Sequence, residues 1–356
     1  MRLILPMFLL AGMVCAQQPP AAGPPPGPPS LECGVHGDLD IICGTHSPED
    51  LELTPDGKYL IVSQFVNGRG GTGAGLALLD LAKKTYSNIA IKDEPRKDWG
   101  DPACPGPVDA MLIPHGISLL KTRLYVVNHG GRQSVEMYEL KKAGGSWELA
   151  WHGCVVTKQE FNDLAVTSDG GFIGTHPTAL TPPGGRGGNL FSGEPSGYVS
   201  RWTPGKAEEE LPGTRQGYPN GVLVSPDGKT MYFNAWTAKE VHKYDLMAGK
   251  DIGVVKLDFM PDNLTWASKG QILAAGVKGA RDDCPAGSGT PCIQGFGIAE
   301  LNPATWQAKT VFDSQGKGNV IAGVSVALQV GNAIYVGSFQ GDRVVRINEA
   351  RINWKQ

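Results

Sequence analysis

One spacing recurs six times along this chain of 356 residues, and it restricts the fold more than any bulk property does. Each unit opens on a polar pair, continues as a short alternating apolar run, turns eight residues after the first member of the pair, and returns as a second apolar run. Glu49-Asp50 precedes Leu51-Glu52-Leu53, the turn Pro55-Asp56-Gly57 and the run Tyr59-Leu60-Ile61-Val62. Asn162-Asp163 stands in the same relation to Gly170, Asn220-Gly221 to Gly228, and Asp262-Asn263 to Gly270. His115-Gly116 and Gly323-Val324 lie eight residues before Arg123 and Gly331. Apolar runs of period two on either side of such turns are strands. A strand–turn–strand unit that returns about every 40–65 residues is a propeller blade, and six units give six blades. No segment carries useful helical periodicity, and 49 glycines with 27 prolines suit many short strands and tight turns. The expectation is an all-β fold, a six-bladed β-propeller. A β-sandwich or two small β domains would account for the strands but not for the constant offset.

In a propeller the innermost strand of every blade runs along the central channel, so equivalent positions share one height. The first head position then holds Glu49, His115, Asn162, Asn220, Asp262 and Gly323, and the second holds Asp50, Gly116, Asp163, Gly221, Asn263 and Val324. Carboxylates and amides crowded into a channel are costly unless paired. A hard divalent cation resolves that cost. Calcium takes 6–8 oxygen ligands, whereas zinc, copper and iron favour nitrogen or sulfur. A metal site in the central channel is therefore expected. Asn or Asp before Gly is ordinarily a turn former, and Asn263-Leu264-Thr265 is also a glycosylation sequon, which would be at the surface if used. Turn chemistry, however, does not require one shared register.

His115 is the member of the ring that does not offer oxygen. An imidazole there suits a general base beside the metal better than a ligand. His129, in Val127-Asn128-His129, ends the next strand of the same blade, and antiparallel return brings it back toward His115. His176, in Gly174-Thr175-His176-Pro177, also ends a second strand and could border the pocket; His36, His46, His152 and His242 read as structural. The chemistry that follows is metal-assisted hydrolysis of an ester or lactone carbonyl, with His115 taking a proton from water and His129 orienting or relaying it. There is no Gly-x-Ser-x-Gly elbow for a serine nucleophile and no Gly-rich loop ending in Gly-Lys for nucleotide phosphates. Lys plus Arg number 32 against 35 Asp plus Glu, which leaves no nucleic-acid footprint. The partner expected is a small-molecule ester or lactone, and no feature specifies an oligomer.

The chain divides into a signal peptide over residues 1–16, a Pro-rich linker over 17–30, and a propeller over 31–356. Arg2, the apolar stretch Leu3 to Val14 and the small residues before Gln17 read as a cleavable secretory leader, too short to span a bilayer comfortably. The product is secreted or periplasmic. Six cysteines remain after the leader, an even count that favours disulfides in an exported chain. Local pairing gives Cys33–Cys43, Cys104–Cys154 and Cys284–Cys292. Segments 93–110, 178–198 and 280–296 break the rhythm with Gly and Pro. They are loops, either shaping a binding rim or inserted at the surface.

Taken in order, Glu49-Asp50-Leu51-Glu52, Pro114-His115-Gly116-Ile117-Ser118, Val127-Asn128-His129, Asn162-Asp163, Asn220-Gly221 with Ser225-Pro226-Asp227-Gly228, and Asp262-Asn263 resemble the serum paraoxonase/arylesterase family. That resemblance implies a six-bladed propeller with two calcium ions (Ca²⁺) in its channel. It implies that Glu49, Asn162, Asn220, Asp262 and Asn263 bind the catalytic ion, and that Asp50, Asp163 and the carbonyl of Ile117 hold a structural one. His115 and His129 would form a histidine dyad, and Tyr218 and Ser325 would line the substrate pocket. The chain departs from the family in having no cysteine after Cys292, so no disulfide can tie the C-terminal strand and ring closure must rely on strand pairing. A more distant likeness is to sugar lactonases of the SMP-30/gluconolactonase type, which use one metal and lack the histidine pair. A third possibility is a non-catalytic, calcium-stabilised propeller that binds a partner.

Overall fold

Twenty-six strands and no helix make up the described residues of the computed structural model, which are 31–65, 73–108, 112–180, 194–278, 295–314 and 320–348. The signal and linker segments and the Cys284–Cys292 pairing lie outside them. Numbered in chain order, the strands form six antiparallel-based sheets arranged as the blades of a propeller. The inner strands are β3 (Pro48–Leu53), β8 (Pro114–Leu120), β12 (Leu164–Val166), β16 (Pro219–Val224), β20 (Met260–Trp266) and β24 (Val324–Val330). Each returns antiparallel into β4 (Tyr59–Gln64), β9 (Arg123–Asn128), β13 (Phe172–His176), β17 (Thr230–Ala235), β21 (Ile272–Lys278) and β25 (Ala333–Ser338), through the turn expected from sequence in every blade but the second, where the turn is Lys121-Thr122 and Arg123 already belongs to β9.

Alternation explains why the sheets stack around an axis. Successive side chains of a strand leave opposite faces, so Leu60 and Val62 pack toward one neighbouring blade while Ile61 packs toward the other. Six apolar clusters result, each straddling two adjacent blades. The last blade joins both ends of the described chain. β2 (Leu39–Cys43) pairs with β26 (Arg343–Asn348) from Leu39 opposite Ile347 to Cys43 opposite Arg343. β1 (Gly34–His36) adds outside β2, and Cys33–Cys43 fastens that pair. Strand pairing thus closes the ring, as the cysteine distribution requires.

Cys104–Cys154 is also formed, across a separation of 50 residues. The first of the three irregular segments begins with a strand, β7 (Ala90–Asp93), added in parallel to β11 (Ser146–Val156). It then climbs the edge of that blade, with Glu94, Arg96 and Asp101 amides donating to the Trp151, His152 and Cys154 carbonyls. The other two irregular segments lie largely outside the described residues.

The inner strands carry one recurring irregularity. In each blade a head pair faces a single residue of the second strand. Between Pro114–Asn128 and Ile117–Val126 the pairing skips His115 and Gly116 on one side but only Val127 on the other. The same two-against-one count occurs at Pro219/Val222, Pro261/Leu264 and Val324/Ala327, and at Pro48/Asp50 in the first blade. In the third blade Thr175 bonds both members of the pair, accepting from Asn162 N and donating to Asp163 O. Such bulges re-aim side chains. Here consecutive residues that would alternate between faces are both turned toward the channel and the adjacent inner strand. The bulge also corrects the sixth head: its pair is Ser325-Val326, two residues beyond Gly323-Val324. The turn after β24 is only Gly331-Asn332, so counting back from Gly331 overshoots.

Candidate active site

The heads meet at one end of the channel. Glu49, Asn162, Asn220, Asp262 and Asn263 are all at most 5% exposed. Asn263 Nδ2 reaches across to Glu49, 2.8 Å from Oε1, and Asn220 bonds the Asp262 carboxylate. These bonds use the amide donors and leave acceptors over. Glu49 Oε2, Asn162 Oδ1, Asn220 Oδ1 and Asn263 Oδ1 are buried with no hydrogen-bond partner. Each orphaned acceptor costs about 1–3 kcal/mol. Four orphaned oxygens on four of the five expected ligands are what a site for a hard cation leaves when only protein partners are counted. Among the described residues no three His, Cys, Asp or Glu side chains gather as a metal site by themselves. The expected set does not need them to, because amides supply three of its five side chains.

Electrostatics agree. Burial, followed by the Asp50, Asp262 and Asp163 charges, drives the Glu49 carboxyl well above its ordinary range, opposed by Asn263. Burial does the same to Asp262 and Asp163, with the Asp50 charge adding to each. Asp50 and Asp163 sit in the second head layer and are better satisfied. Asp50 accepts from Leu51 N and from Ile117 N of the next blade, each at 2.8 Å; Asp163 accepts from Val222 N at 2.8 Å. Even so, burial lifts Asp50 from 3.8 to about 7. The amide of Ile117 is thus committed to Asp50. Gly116 and Gly221 let the layers close, for a Cβ on Gly116 would lie 2.3 Å from Asp163 Oδ1 and one on Gly221 2.3 Å from the Asp262 carbonyl. Asn263 is 2% exposed in this channel, which removes its sequon from the surface.

The two histidines meet as expected. His115 Nδ1 and His129 Nε2 are 3.0 Å apart, and His115 Nε2 stands 3.9 Å from Glu49 Oε1. Burial, then the neighbouring His129, holds His115 well below 6.5; burial also lowers His129, against an opposing bond from Gln133. Both shifts favour the uncharged imidazoles. Two contacts were not anticipated from sequence. Phe65 stacks on His115 with ring centroids 4.0 Å apart and planes at 8°, and Gln133 Oε1 lies 2.6 Å from His129 Nδ1. Phe65 follows β4 and Gln133 ends the turn between β9 and β10 (Ser134–Ala143), so neither shares the head spacing; the one available signal for Gln133 was its position four residues after His129.

The expected pocket residues separate. Tyr218 stands next to the Pro219-Asn220 head, half-buried, with a left-handed backbone (φ 56°) that a non-glycine residue rarely adopts. Its amide donates to Ser196 Oγ at 2.8 Å, and its carbonyl accepts from the Trp236 amide at 3.1 Å. His176 does not join the pocket. It is 1% exposed, with Nδ1 against the Glu160 carbonyl and Nε2 against Ser200 and Glu208, so both nitrogens serve the third blade. Ser325 is likewise not a free pocket hydroxyl: it is fully buried and donates to the Glu49 carbonyl at 2.5 Å, bracing that head.

A family model described as SMP-30/Gluconolactonase/LRE-like region matches residues 71–281, more than half of the chain. The chain belongs to that family. Among curated proteins, serum paraoxonase/arylesterase 1 of Mus musculus is 25% identical over 239 residues, 61% of this chain and 62% of that protein. The Homo sapiens protein of the same name is 26% identical over 164 residues, 43% of this chain and 45% of its own. This family member thus spans about three-fifths or less of the curated relatives it matches. A gluconolactonase structure from Xanthomonas campestris superposes with a TM-score of 0.53 at 16% identity, covering 87% of this chain and 88% of that one. A luciferin-regenerating enzyme gives 0.54 at 14% identity, covering 87% and 95%. At these identities the two structures speak for the propeller fold alone.

Proposed function

We propose that the protein is a calcium-dependent hydrolase of lactones and aryl esters, secreted or periplasmic, with its active site at the head ring. The observation that carries this reading is a hydrogen-bonded His115–His129 pair beside four orphaned, buried oxygens. Glu49, Asn162, Asn220, Asp262 and Asn263 would hold the catalytic ion, and their all-oxygen donor set suits calcium. Bound there, the ion would polarise the substrate carbonyl and stabilise the oxyanion that develops on it. Asp50, Asp163 and the Ile117 carbonyl would hold the second ion. Charge supports two: the head carboxylates Glu49, Asp50, Asp163 and Asp262 carry four negative charges when ionised, with no Lys or Arg among the heads.

The protein groups supply the proton chemistry. His115 Nε2 faces the ring and accepts a proton from the attacking water as its oxygen bonds to the carbonyl carbon. When the C–O bond breaks, that proton returns to the leaving alkoxide or phenoxide. His129 holds the His115 ring through Nδ1, and Phe65 stacked on its face fixes the ring plane and keeps bulk water off it. Tyr218 at the channel mouth would contact the substrate body, while Ser325 keeps Glu49 in place through its carbonyl. The leader, together with two disulfides, supports export.

The family assignment also favours a second reading, a sugar lactonase of the gluconolactonase type. The two are separated by assaying phenyl acetate, apolar lactones and sugar lactones before and after chelation. Hydrolysis of phenyl acetate or apolar lactones that is abolished by EDTA, restored by Ca²⁺ and strongly reduced in His115→Gln supports the dyad mechanism. Turnover of sugar lactones alone, undiminished in His115→Gln, supports the second reading. Calcium binding without any hydrolysis would overturn both in favour of a binding module.

A further inference from the structure

We propose that Gln133 is a positioning residue that sets the direction of the hydrogen-bond chain through the histidine pair, and so decides which nitrogen of His115 is free to accept a proton. The proposal deepens the dyad reading and rests on it. A neutral imidazole has one donor and one acceptor nitrogen, and the partner on one nitrogen fixes the role of the other. The Gln133 carbonyl oxygen, 2.6 Å from His129 Nδ1, can only accept. His129 is therefore protonated on Nδ1 and bare on Nε2. Its Nε2 lies 3.0 Å from His115 Nδ1, so His115 must donate there. The lone pair of His115 is left on Nε2, the nitrogen 3.9 Å from Glu49 and turned toward the head ring. The opposite tautomer would aim an N–H at the ring and leave no base in it.

An amide suits this task better than a carboxylate. It accepts the Nδ1–H without adding a charge that would stabilise imidazolium beside the head carboxylates. The turn that presents it is built to be rigid. Asn128, fully buried, donates through Nδ2 to the Gly130 and Arg132 carbonyls and accepts the Ile113 and Gly130 amides on Oδ1. Arg132, the residue before Gln133, is tied at 2.8 Å to Glu136, a buried carboxylate that Ser134 and Trp151 also serve. The same guanidinium donates to the Gly106 carbonyl at 2.7 Å, linking the turn to the loop held by Cys104–Cys154. The Gln133 carbonyl accepts the Thr157 amide at 3.0 Å, which anchors its backbone to the far side of the blade.

The test combines side-chain ¹⁵N NMR of histidine-labelled protein with phenyl acetate kinetics on wild type, Gln133→Met and Gln133→Glu, resonances being assigned with His115→Gln and His129→Gln. The wild type should show both rings protonated on Nδ1. Gln133→Met should give mixed tautomers and lower kcat by about 10–100-fold with little change in KM. Gln133→Glu should restore the Nδ1–H tautomers while moving the acid limb of the pH–rate profile up by about one pH unit. A wild-type His129 bare on Nδ1, or a Gln133→Met protein with unchanged tautomers and kcat, overturns the proposal. Full activity in His115→Gln would instead sink the dyad mechanism, while the tautomer spectra would still decide the role of Gln133. A misfolded Gln133→Met protein is recognised by its melting curve, and Gln133→Glu then carries the test through the predicted limb shift.

Discussion

Removing calcium should make stability fall as pH rises, the reverse of ordinary acid denaturation. Folding lifts Asp50 from 3.8 to about 7, chiefly by burying it, and lifts Glu49, Asp163 and Asp262 in the same direction. A carboxyl with a raised folded pKa keeps a proton in the native state that the unfolded chain has already released. Its contribution is complete below about pH 4, the unfolded pKa, and is lost as pH rises through the folded pKa. The slope is about 1.4 kcal/mol per pH unit for each group inside that window. For Asp50 between pH 5 and 7, the native carboxyl being half ionised at the upper limit, this amounts to about 2 kcal/mol. At about 2–4 °C per kcal/mol for a chain of this order of size, that is a melting shift of about 4–8 °C. The measurement is calorimetric unfolding in EDTA and in excess Ca²⁺ from pH 5 to 8, on wild type and Asp50→Asn. Metal-free wild type should lose stability across the range more steeply than metal-free Asp50→Asn. Calcium should flatten the wild-type curve, since a site at a hundredfold excess of ligand over Kd adds about 2.7 kcal/mol and binds the ionised carboxylates that high pH supplies. Equal pH slopes for the two metal-free proteins, or a calcium effect as large at pH 5 as at pH 8, would refute the reasoning.

Further consequences follow from the same contacts. His115→Gln should lower kcat by about 10²–10⁴-fold, and because burial holds His115 well below 6.5 the wild-type kcat/KM should stay level down to pH 6.5 before falling; an acid limb at pH 7 or above in the pH–rate profile would contradict this. Gly116→Ala puts a Cβ 2.3 Å from Asp163 Oδ1 and 2.6 Å from its Cα, and should cost about 1–3 kcal/mol and weaken calcium binding, as read by urea unfolding and isothermal titration. Replacing Cys104 and Cys154 by serine opens a loop of 50 residues, a loss of about 4 kcal/mol by loop-closure entropy. An unchanged urea midpoint in that double variant would mean that the amide bonds from Asp101 and its neighbours to β11 hold the segment unaided.

What the sequence made legible is what repeats at short range. Strand alternation and turn chemistry are local, so six inner and six second strands are readable, five of the pairs joined by a Gly-bearing turn and the second blade's by Lys121-Thr122. The head register was readable too, because every blade spends two residues against one at the same place, which keeps its polar pair at a fixed distance from the returning strand. The limit of that spacing is the sixth blade. Eight residues separate head from turn glycine only where the turn is long, as in Thr54 to Lys58; after β24 the turn is two residues, and the same distance must be counted to Ala333, where it lands on Ser325. Blade 2 has the same short turn, and eight residues back from Arg123, the first residue of β9, is His115, which therefore falls in register. The rest depended on pairings that no period announces. β7 adds in parallel to a strand more than fifty residues later, and β2 enters beside β26 from the other end of the chain. Phe65 and Gln133 are single side chains delivered to His115 and His129 from connections, where sequence carries composition but not direction. A base is chosen by its surroundings, and here the ring of oxygens was written as a repeat while the groups that orient the base were not.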